Sequence, residues 1–481
     1  MRGNWWLAPA AAIAVLSIFL LLPPIEPLTP IGMKIGGIFL FTVIMWVFVG
    51  IGYPSLMSIA LFAILGVMTP TALFGASLGS WLVIFIMTCL GLAEGLRSSG
   101  FSRRLALWFM SRPFTAGRPW ALLAMLMLVT TLLGAVMSSV ATLIVVMAVV
   151  EPMLEISGFK KGDRFAAVVM LGLTWAASAS FMATPIGHVS NVLLIEWVQK
   201  DTGYTISFAK WMLVGIPFSL LIYLVLLLIL RFVVGGDATR FGSAARQYVL
   251  EEKGKLGPMK LEEKLTLGVF LVVLLTWLLP GIASNLLPQI SRYLQGLGYA
   301  VPALVGVVLL CTIRVKNQPL VGFRDWMANM EWSAIMLVAA IMVIGDSLGK
   351  PDTGIPQLLA GVIEPIANGA PFYVFLLVGI FWAGLQASFM SHLVSSMLVY
   401  TVMMPAAIDA GVGNLPALGY AIFAMPNYAF ILPSATVVTA IIAGSGWVPV
   451  KFMARYGAIA LIPMILLVVF IAYPLASLVL R

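Results

Sequence analysis

The sequence predicts an all-α polytopic membrane protein, with about eleven transmembrane helices and two re-entrant hairpins arranged as an inverted repeat. Three observations predict this fold. Of the 481 residues, 62% are hydrophobic and only 9% are charged, whereas a soluble domain carries about 25% charged residues. A polar passage rich in small residues interrupts the apolar sequence at two related places. Finally, most Lys and Arg residues lie on one side of the membrane if two apolar stretches are re-entrant, so that each enters and leaves the membrane on the same side.

Residues 1–79 are predicted to form scaffold helices. Apolar stretches run over 7–23, 34–50 and 54–68, and a spanning helix needs roughly 20 apolar residues. The first stretch is followed by a proline-rich segment that has no small-residue cleavage site. We therefore expect it to be a membrane helix rather than a signal peptide.

Residues 80–207 are predicted to form the first transport repeat. A helix at 80–96 leads through a basic segment to an apolar stretch at 119–155, which is broken in the middle by a polar tip. We interpret that stretch as a hairpin that opens to the cytoplasm. A broken helix at 165–198 completes the repeat, because Gly, Pro and hydroxyl residues interrupt its apolar sequence.

Residues 208–331 are predicted to add further scaffold helices. Apolar stretches at 208–232, 264–280 and 298–313 are long enough or nearly long enough to span a membrane. Between the first two lies the segment 233–263, which is rich in charges of both signs. It is predicted to be a cytoplasmic loop.

Residues 332–481 are predicted to repeat the first arrangement with opposite sidedness. A helix at 332–348 leads through a segment near 350–369 to a second hairpin at 371–409, and a broken helix follows at 415–446. A last helix ends the chain. Inverted repeats of this kind place a binding site near the bilayer midplane, where hairpin tips meet unwound helices.

The distribution of basic residues supports the two hairpins. With both hairpins re-entrant, all but six of the 27 Lys and Arg residues fall on one face; the exceptions are Lys34, Lys200, Lys210, Arg292, Lys350 and Arg481. Lys and Arg favour the cytoplasmic side, so we expect a cytoplasmic N-terminus and an external C-terminus. The sorting also argues against nucleic acid as a partner, despite the net charge of +9.

The interrupting passages contain the only two histidines of the chain. The first passage runs from Met137 to Thr142 and again from Ala183 to Asn191, and it includes His188. Half-helices that start at such breaks have free N–H groups and the positive end of the helix dipole, which favour an anion. The opposite ends offer carbonyls that can hold Na⁺.

The second passage has related sequence. It comprises Met390–Ser396, with His392, then Pro433–Thr439 and Gly444–Gly446. The histidines could donate to an anion or carry a coupling proton, or they could be neutral histidines that bond to backbone. The serines could bind substrate, or they could simply allow helices to pack closely.

On these residues the sequence resembles the divalent anion/sodium symporter family, which includes bacterial dicarboxylate and sulfate carriers and animal citrate carriers. The family's Ser-Asn-Thr motif at each hairpin tip is matched by Ser138-Ser139-Val140 and by Ser391-His392-Leu393. Its Thr-Pro-Pro-Asn motifs are matched by His188–Asn191 and by Thr436–Thr439. Glu331-Trp332 also fits the family pattern. The replaced Asn and Thr residues make the tips less polar, so a monocarboxylate, a sulfonate or an inorganic oxyanion is credible beside a dicarboxylate.

The resemblance implies two sets of site residues. The predicted substrate-binding residues are Ser138, Ser139, Thr184, His188, Asn191, Ser391, His392, Thr436 and Thr439. The predicted Na⁺ ligands are Ser138, Ser139, Gly187, Ser391, His392, Ser395 and Ala435.

The sequence therefore predicts a secondary active transporter of a small anion, such as a dicarboxylate, sulfate or a related organic anion. Na⁺ symport by an elevator-type movement is the leading hypothesis; proton coupling, exchange and a passive anion channel are the alternatives. Na⁺ is the expected coupling ion, with no other cofactor. We expect membrane lipid and a second copy of the chain as partners, and a bacterial inner membrane as the location. An enzyme is not predicted, because paired acids, a zinc-ligand cluster and a Ser/His arrangement are missing.

Overall fold

The computed structural model describes residues 6–358 and 371–481, and in these ranges almost all of the regular secondary structure is helical. The exception is a short antiparallel pair, Arg314–Val315 with Gln318–Pro319. By length and composition, seven helices in the described ranges could cross a membrane, and one bent pair could do so together. The predicted class, an all-α polytopic membrane protein, is confirmed.

Two of the four N-terminal helices, α2 and α4, start with a side-chain cap. Thr29 and Thr69 are N-caps whose hydroxyls accept a hydrogen bond from the first turn, and each is followed by Pro, the residue favoured at the first helical position. α1 packs along α2, and α3 packs on α2 as well. The helices are α1 Leu7–Leu21, α2 Pro30–Phe48, α3 Gly52–Ile64 and α4 Pro70–Ala76.

Residues 80–207, the predicted first repeat, contain a pair of packed helices and an interrupted helix. Its helices are α5 Trp81–Ser98, α6 Phe101–Met110, α7 Pro119–Gly134, α8 Ser139–Ile156, α9 Arg164–Ala179 and α10 Val189–Thr202, with a 3₁₀ turn at Pro113–Thr115. α7 and α8 pack against each other as the two arms of the hairpin. The helix predicted at 165–198 is unwound between α9 and α10.

The middle of the chain differs in one respect from its prediction. Its helices are α11 Phe208–Leu228, α12 Ser243–Leu256, α13 Leu261–Ile282, α14 Pro288–Leu297, α15 Ala300–Thr312 and α16 Phe323–Ala328, with a π turn at Ile229–Val234 and a 3₁₀ turn at Thr239–Phe241. The segment predicted as a loop at 233–263 contains α12. Ion pairs from Arg103 to Glu252 and from Arg104 to Glu263 tie this region to α6, which gives it a defined structure.

The second repeat follows the order of the first. Its helices are α17 Trp332–Leu348, α18 Phe372–Ala387, α19 His392–Asp409, α20 Leu415–Ala424, α21 Val437–Gly444, α22 Val450–Leu467 and α23 Tyr473–Val479, with 3₁₀ turns at Pro351–Thr353 and Met425–Tyr428 and a π turn at Val468–Ala472. α18 and α19 pack as a hairpin. The predicted segment 350–369 lies largely outside the described residues, which omit 359–370.

The helix that leads each repeat packs against predicted scaffold helices. α5 packs chiefly against α15, and α17 packs chiefly against α3. In contrast, α10 of the first repeat packs against α20 of the second. The two hairpin and broken-helix units therefore pack against each other, and the predicted scaffold helix α11 packs directly against α7 and α9 of the first unit.

Candidate functional site

Both hairpin tips and both unwound stretches line one cavity of about 360 Å³. Scaffold helices α2 and α13 and the leading helices α5 and α17 supply the rest of its wall. Most lining side chains are apolar. Within the described part of the chain, Glu331 is the only acidic lining residue, and the lining contains neither Lys nor Arg.

The first hairpin tip is held by hydrogen bonds to both sides. Ser138 is the N-cap of α8, and its hydroxyl donates to the Glu331 carboxylate. The Thr184 hydroxyl donates to the Ala135 carbonyl, which joins the tip to the first unwound stretch. Gly134 ends α7 where a Cβ would clash with the Ser180 side chain, so glycine allows the hairpin and the unwound stretch to approach closely.

The second tip is held by the second unwound stretch. Ser391 is the N-cap of α19, and His392 is its first residue. The Ala435 carbonyl accepts from the His392 backbone N–H at 3.2 Å, and His392 Nδ1 lies 3.1 Å from the same oxygen. The Ser434 hydroxyl also donates to the Phe389 carbonyl at 3.2 Å. The tip and the unwound stretch thus form one bonded unit.

The two histidines, 204 positions apart, contact each other directly. His188 Nε2 lies 3.0 Å from His392 Nε2. The Ser190 N–H donates to His188 Nδ1 at 3.2 Å, so that nitrogen is an acceptor and the proton of a neutral His188 is on Nε2. A carbonyl can only accept, so His392 carries its proton on Nδ1.

These proton positions determine which ring donates the hydrogen bond between the two histidines. His188 Nε2–H donates to His392 Nε2, and every ring nitrogen of the pair has a partner within the protein. Phe181 stacks on His188, with ring centroids 4.5 Å apart and an interplanar angle of 28°. The pair therefore joins the first unwound stretch to the second hairpin tip, across the two repeats.

Asn191 and Thr439 hold the two unwound stretches in shape. Both are completely buried. The Asn191 amide donates to the Phe181 carbonyl at 2.6 Å and to the Thr184 carbonyl at 2.9 Å. The Thr439 hydroxyl lies 2.6 Å from the Thr436 carbonyl and accepts from the Thr436 N–H at 3.0 Å. Both side chains thus satisfy backbone groups that the breaks leave without helical partners.

The structure brings most of the predicted site residues to the cavity wall. The lining includes Ser138, Ser139, Gly187, His188, Ser391, His392, Ala435 and Thr436. Thr184, Asn191, Thr439 and Ser395 are buried behind the wall. The assigned roles of all these residues remain predictions.

Two features of the wall bear on the predicted Na⁺ ligands. Gly187 faces a group of carbonyls, because a Cβ there would lie 3.0 Å from the Ser180 and Phe181 oxygens. Carbonyl clusters at broken helices can hold Na⁺, although Asn191 already donates to one of these two oxygens. Ser395 is completely buried, and its hydroxyl has no hydrogen-bond partner among the described residues.

Most of the other lining residues are not assigned to the site by the sequence, and Glu331 and Phe181 are two whose side chains contact predicted site residues. Glu331 fits the family pattern, but its distance from Ser138 in sequence gives no sign of their hydrogen bond. Phe181 is one of 27 phenylalanines, and only its position just before the first break could have singled it out.

A cavity formed by paired hairpin tips and broken helices inside a polytopic membrane protein is characteristic of secondary transporters. Residues 3–479 match the family described as the sodium:sulfate symporter transmembrane region. The chain belongs to this family, which confirms the resemblance noted in the sequence.

Curated relatives carry a related name. A sodium-dependent dicarboxylate transporter of Staphylococcus saprophyticus is 23% identical over 91% of this chain and 86% of its own length. A protein of the same name from Staphylococcus aureus strain USA300 is 26% identical over 65% of this chain and 59% of its own length.

Proposed function

We propose that the chain is a Na⁺-coupled secondary active transporter of a small anion, such as a dicarboxylate, sulfate or a related organic anion. One observation carries the proposal: hairpin tips and unwound stretches from both repeats line a single cavity. Membership of a sodium:sulfate symporter family and the names of the relatives support it. The activity is transport rather than catalysis.

Backbone and hydroxyl donors bind the anion in this proposal. α8 and α19 both start at the cavity, and their first N–H groups and positive dipole ends favour negative charge. Ser139 and Ser391 add hydroxyls, and Thr436 is the N-cap of α21. The carbonyls around Gly187 and at Ala435, together with the buried Ser395, are the candidate Na⁺ ligands. Na⁺ would offset the charge of the anion, because the described wall supplies no cationic side chain.

The transport movement is proposed to be of the elevator type. The hairpins and broken helices pack against one another, and they would move as one bundle that carries the cavity across the membrane. α5 and α17 pack on scaffold helices, so we assign them to the fixed part or to its border. The scaffold would form a homodimer in a bacterial inner membrane, with a cytoplasmic N-terminus.

Solid-supported-membrane electrophysiology on proteoliposomes tests the proposal. Succinate, citrate, sulfate, a sulfonate and a monocarboxylate are each applied with Na⁺ or choline outside, at two pH values. The expected result is a current that needs both one anion and Na⁺.

Other results of this experiment would overturn parts of the proposal. A current that follows a proton gradient and ignores Na⁺ would replace sodium coupling with proton coupling. Flux that never concentrates the anion would indicate a channel. If currents are absent, radiolabel counterflow distinguishes electroneutral exchange, which produces counterflow, from a protein that transports none of these anions.

A further inference from the structure

Building on this proposed function, we infer that the substrate has one anionic head and an apolar body, as in an alkyl- or arylsulfonate, and is neither a dicarboxylate nor sulfate. The inverted repeat provides two equivalent places for an anionic group, one at the N-terminus of each hairpin's second helix. A dicarboxylate would use both places. Among the residues that this structure describes, the donors of the residue after the N-cap are unpartnered at the first place, here called open, and bonded to protein groups at the second, here called closed.

The second tip is the closed place. The Ala435 carbonyl accepts from the His392 backbone N–H at 3.2 Å, and it lies 3.1 Å from His392 Nδ1. The remaining ring nitrogen of His392, Nε2, lies 3.0 Å from His188 Nε2. An anion that used the His392 donors would have to displace the Ala435 carbonyl, and His392 Nε2 already accepts from His188 Nε2–H. The next residue, Leu393, presents an apolar side chain to the cavity.

The first tip is the open place. The Ser139 hydroxyl has no hydrogen-bond partner among the described residues, and the N–H groups of Ser139, Val140 and Ala141 have no backbone acceptor there. These are the donors that a helix start offers to an anion. We therefore place the head of the substrate at Ser139.

The charge of the wall favours one negative charge on the substrate over two. Glu331 is the one acid of the described lining, and Lys and Arg are missing from it. Each negative charge of the substrate therefore has only dipoles and a bound cation to compensate it, and two negative charges in a partly desolvated site need more compensation than one. The Ser138 hydroxyl donates to the Glu331 carboxylate, which leaves Ser139 as the hydroxyl of this tip for the head.

The size and surface of the cavity favour an apolar body. A volume of about 360 Å³ is in the range of sites for small organic ligands, and it greatly exceeds the needs of a sulfate ion. Val140 and Leu393 at the tips are joined by aromatic side chains from several elements, namely Phe85, Phe181, Phe270 and Phe389. An apolar group of the substrate that leaves water for this surface gains free energy.

A matched set of anions tests this inference on the purified full-length protein. Butanesulfonate is compared with butanedisulfonate, succinate and sulfate, by thermal stabilisation in Na⁺ buffer and by proteoliposome currents. Sulfonates stay ionised, so they do not leak through lipid as protonated acids do. We expect butanesulfonate to bind at least about tenfold more tightly than each of the other three anions. Tenfold corresponds to a difference in binding free energy of about 1.4 kcal/mol.

The possible results separate this inference from the proposed function. If succinate or sulfate binds and is transported as well as butanesulfonate, the inference is overturned while anion transport stands. If none of the anions binds or is carried, both are overturned.

A variant of the second tip tests where the apolar body lies. Leu393→Thr should weaken butanesulfonate binding about fivefold, because one to two methylene contacts are lost, and it should leave methanesulfonate binding unchanged. Leu398→Thr, on the same helix but away from the cavity, is the matched control. Equal loss for both sulfonates, or no loss in Leu393→Thr, would contradict the placement of the body against this tip.

Discussion

The two halves of the site occupy equivalent positions in the repeats and are built differently. In the first half, Ser139 begins the second arm of the hairpin and His188 is the N-cap after the break. In the second half, the same two positions hold His392 and Thr436. Each repeat thus contributes one histidine, but at non-equivalent positions. The two rings meet at one corner of the cavity. Ser139 marks the open corner, and Thr436 is the hydroxyl residue at the position equivalent to His188; both line the cavity.

The two predicted repeats have the same order of helices but different side chains at equivalent positions of the site. At one corner two histidines form a hydrogen-bonded contact between them. At the other, the Ser139 hydroxyl has no partner among the described residues, while Thr436 is bonded to Thr439. A site with two unlike corners would suit a substrate with two different ends.

The largest expected effect comes from breaking the histidine corner. His392→Ala should abolish uptake, because it removes the contact between the repeats and leaves His188 Nε2–H without its acceptor. An unsatisfied buried donor costs about 1 to 3 kcal/mol. Uptake in proteoliposomes and monodispersity on size-exclusion chromatography are the measurements.

Ser396→Ala is the matched control for that variant. Its hydroxyl donates only to the His392 carbonyl of its own helix, so uptake should persist. Normal uptake in His392→Ala would show that the corner does not contribute to transport.

The next largest effect is expected on the free energy of unfolding, when the two unwound stretches are each deprived of a buried polar side chain. Asn191→Ala removes two hydrogen bonds from buried carbonyls and should cost about 2 to 4 kcal/mol of unfolding free energy. Thr439→Val keeps the shape of the side chain and should cost about half as much. Thermal unfolding of both variants in detergent gives the order, and a larger loss for Thr439→Val would contradict the assigned roles.

A smaller effect is expected at the open corner. Ser139→Ala should weaken substrate affinity about tenfold, since a hydrogen bond to a charged group contributes about 1.5 to 3 kcal/mol. The unfolding temperature should not change. Ser157→Ala, at the far end of the same helix, is the control. Unchanged affinity in Ser139→Ala would remove this hydroxyl from the site.

The smallest effect is expected on Na⁺ affinity, and it should differ between two buried hydroxyls at equivalent positions of the two hairpins. Thr142 in the first hairpin and Ser395 in the second are completely buried and have no described partner. Ser395→Ala should raise the Na⁺ concentration needed for half-maximal current about threefold, which corresponds to about 0.65 kcal/mol. Thr142→Val should leave it unchanged. Equal behaviour of the two variants would remove Ser395 from the Na⁺ ligands.

The sequence was sufficient to predict the backbone of the site but not its contacts. Pro, Gly and hydroxyl residues inside apolar stretches marked both breaks and both tips, because few other patterns interrupt a membrane helix. Substrate binding by Asn191 stays a prediction: its amide donates to two backbone carbonyls, and a polar residue after a break has the same sequence pattern whether it faces a cavity or its own backbone. The sequence does not predict the helix in 233–263 because many charges are typical of a loop, whereas this helix buries Ala245 and Val249 and packs against the distant helices α6 and α8.

The contact between His188 and His392 also has a consequence for biosynthesis. The partners are 204 residues apart, so the ribosome makes the first ring roughly 10 to 40 s before the second at ordinary rates of synthesis. During that time the first half of the chain lies in the membrane with a polar break that lacks its partner. The first half is therefore expected to mature only after the second has been inserted, and a nascent chain arrested before residue 392 should remain sensitive to membrane quality-control proteases.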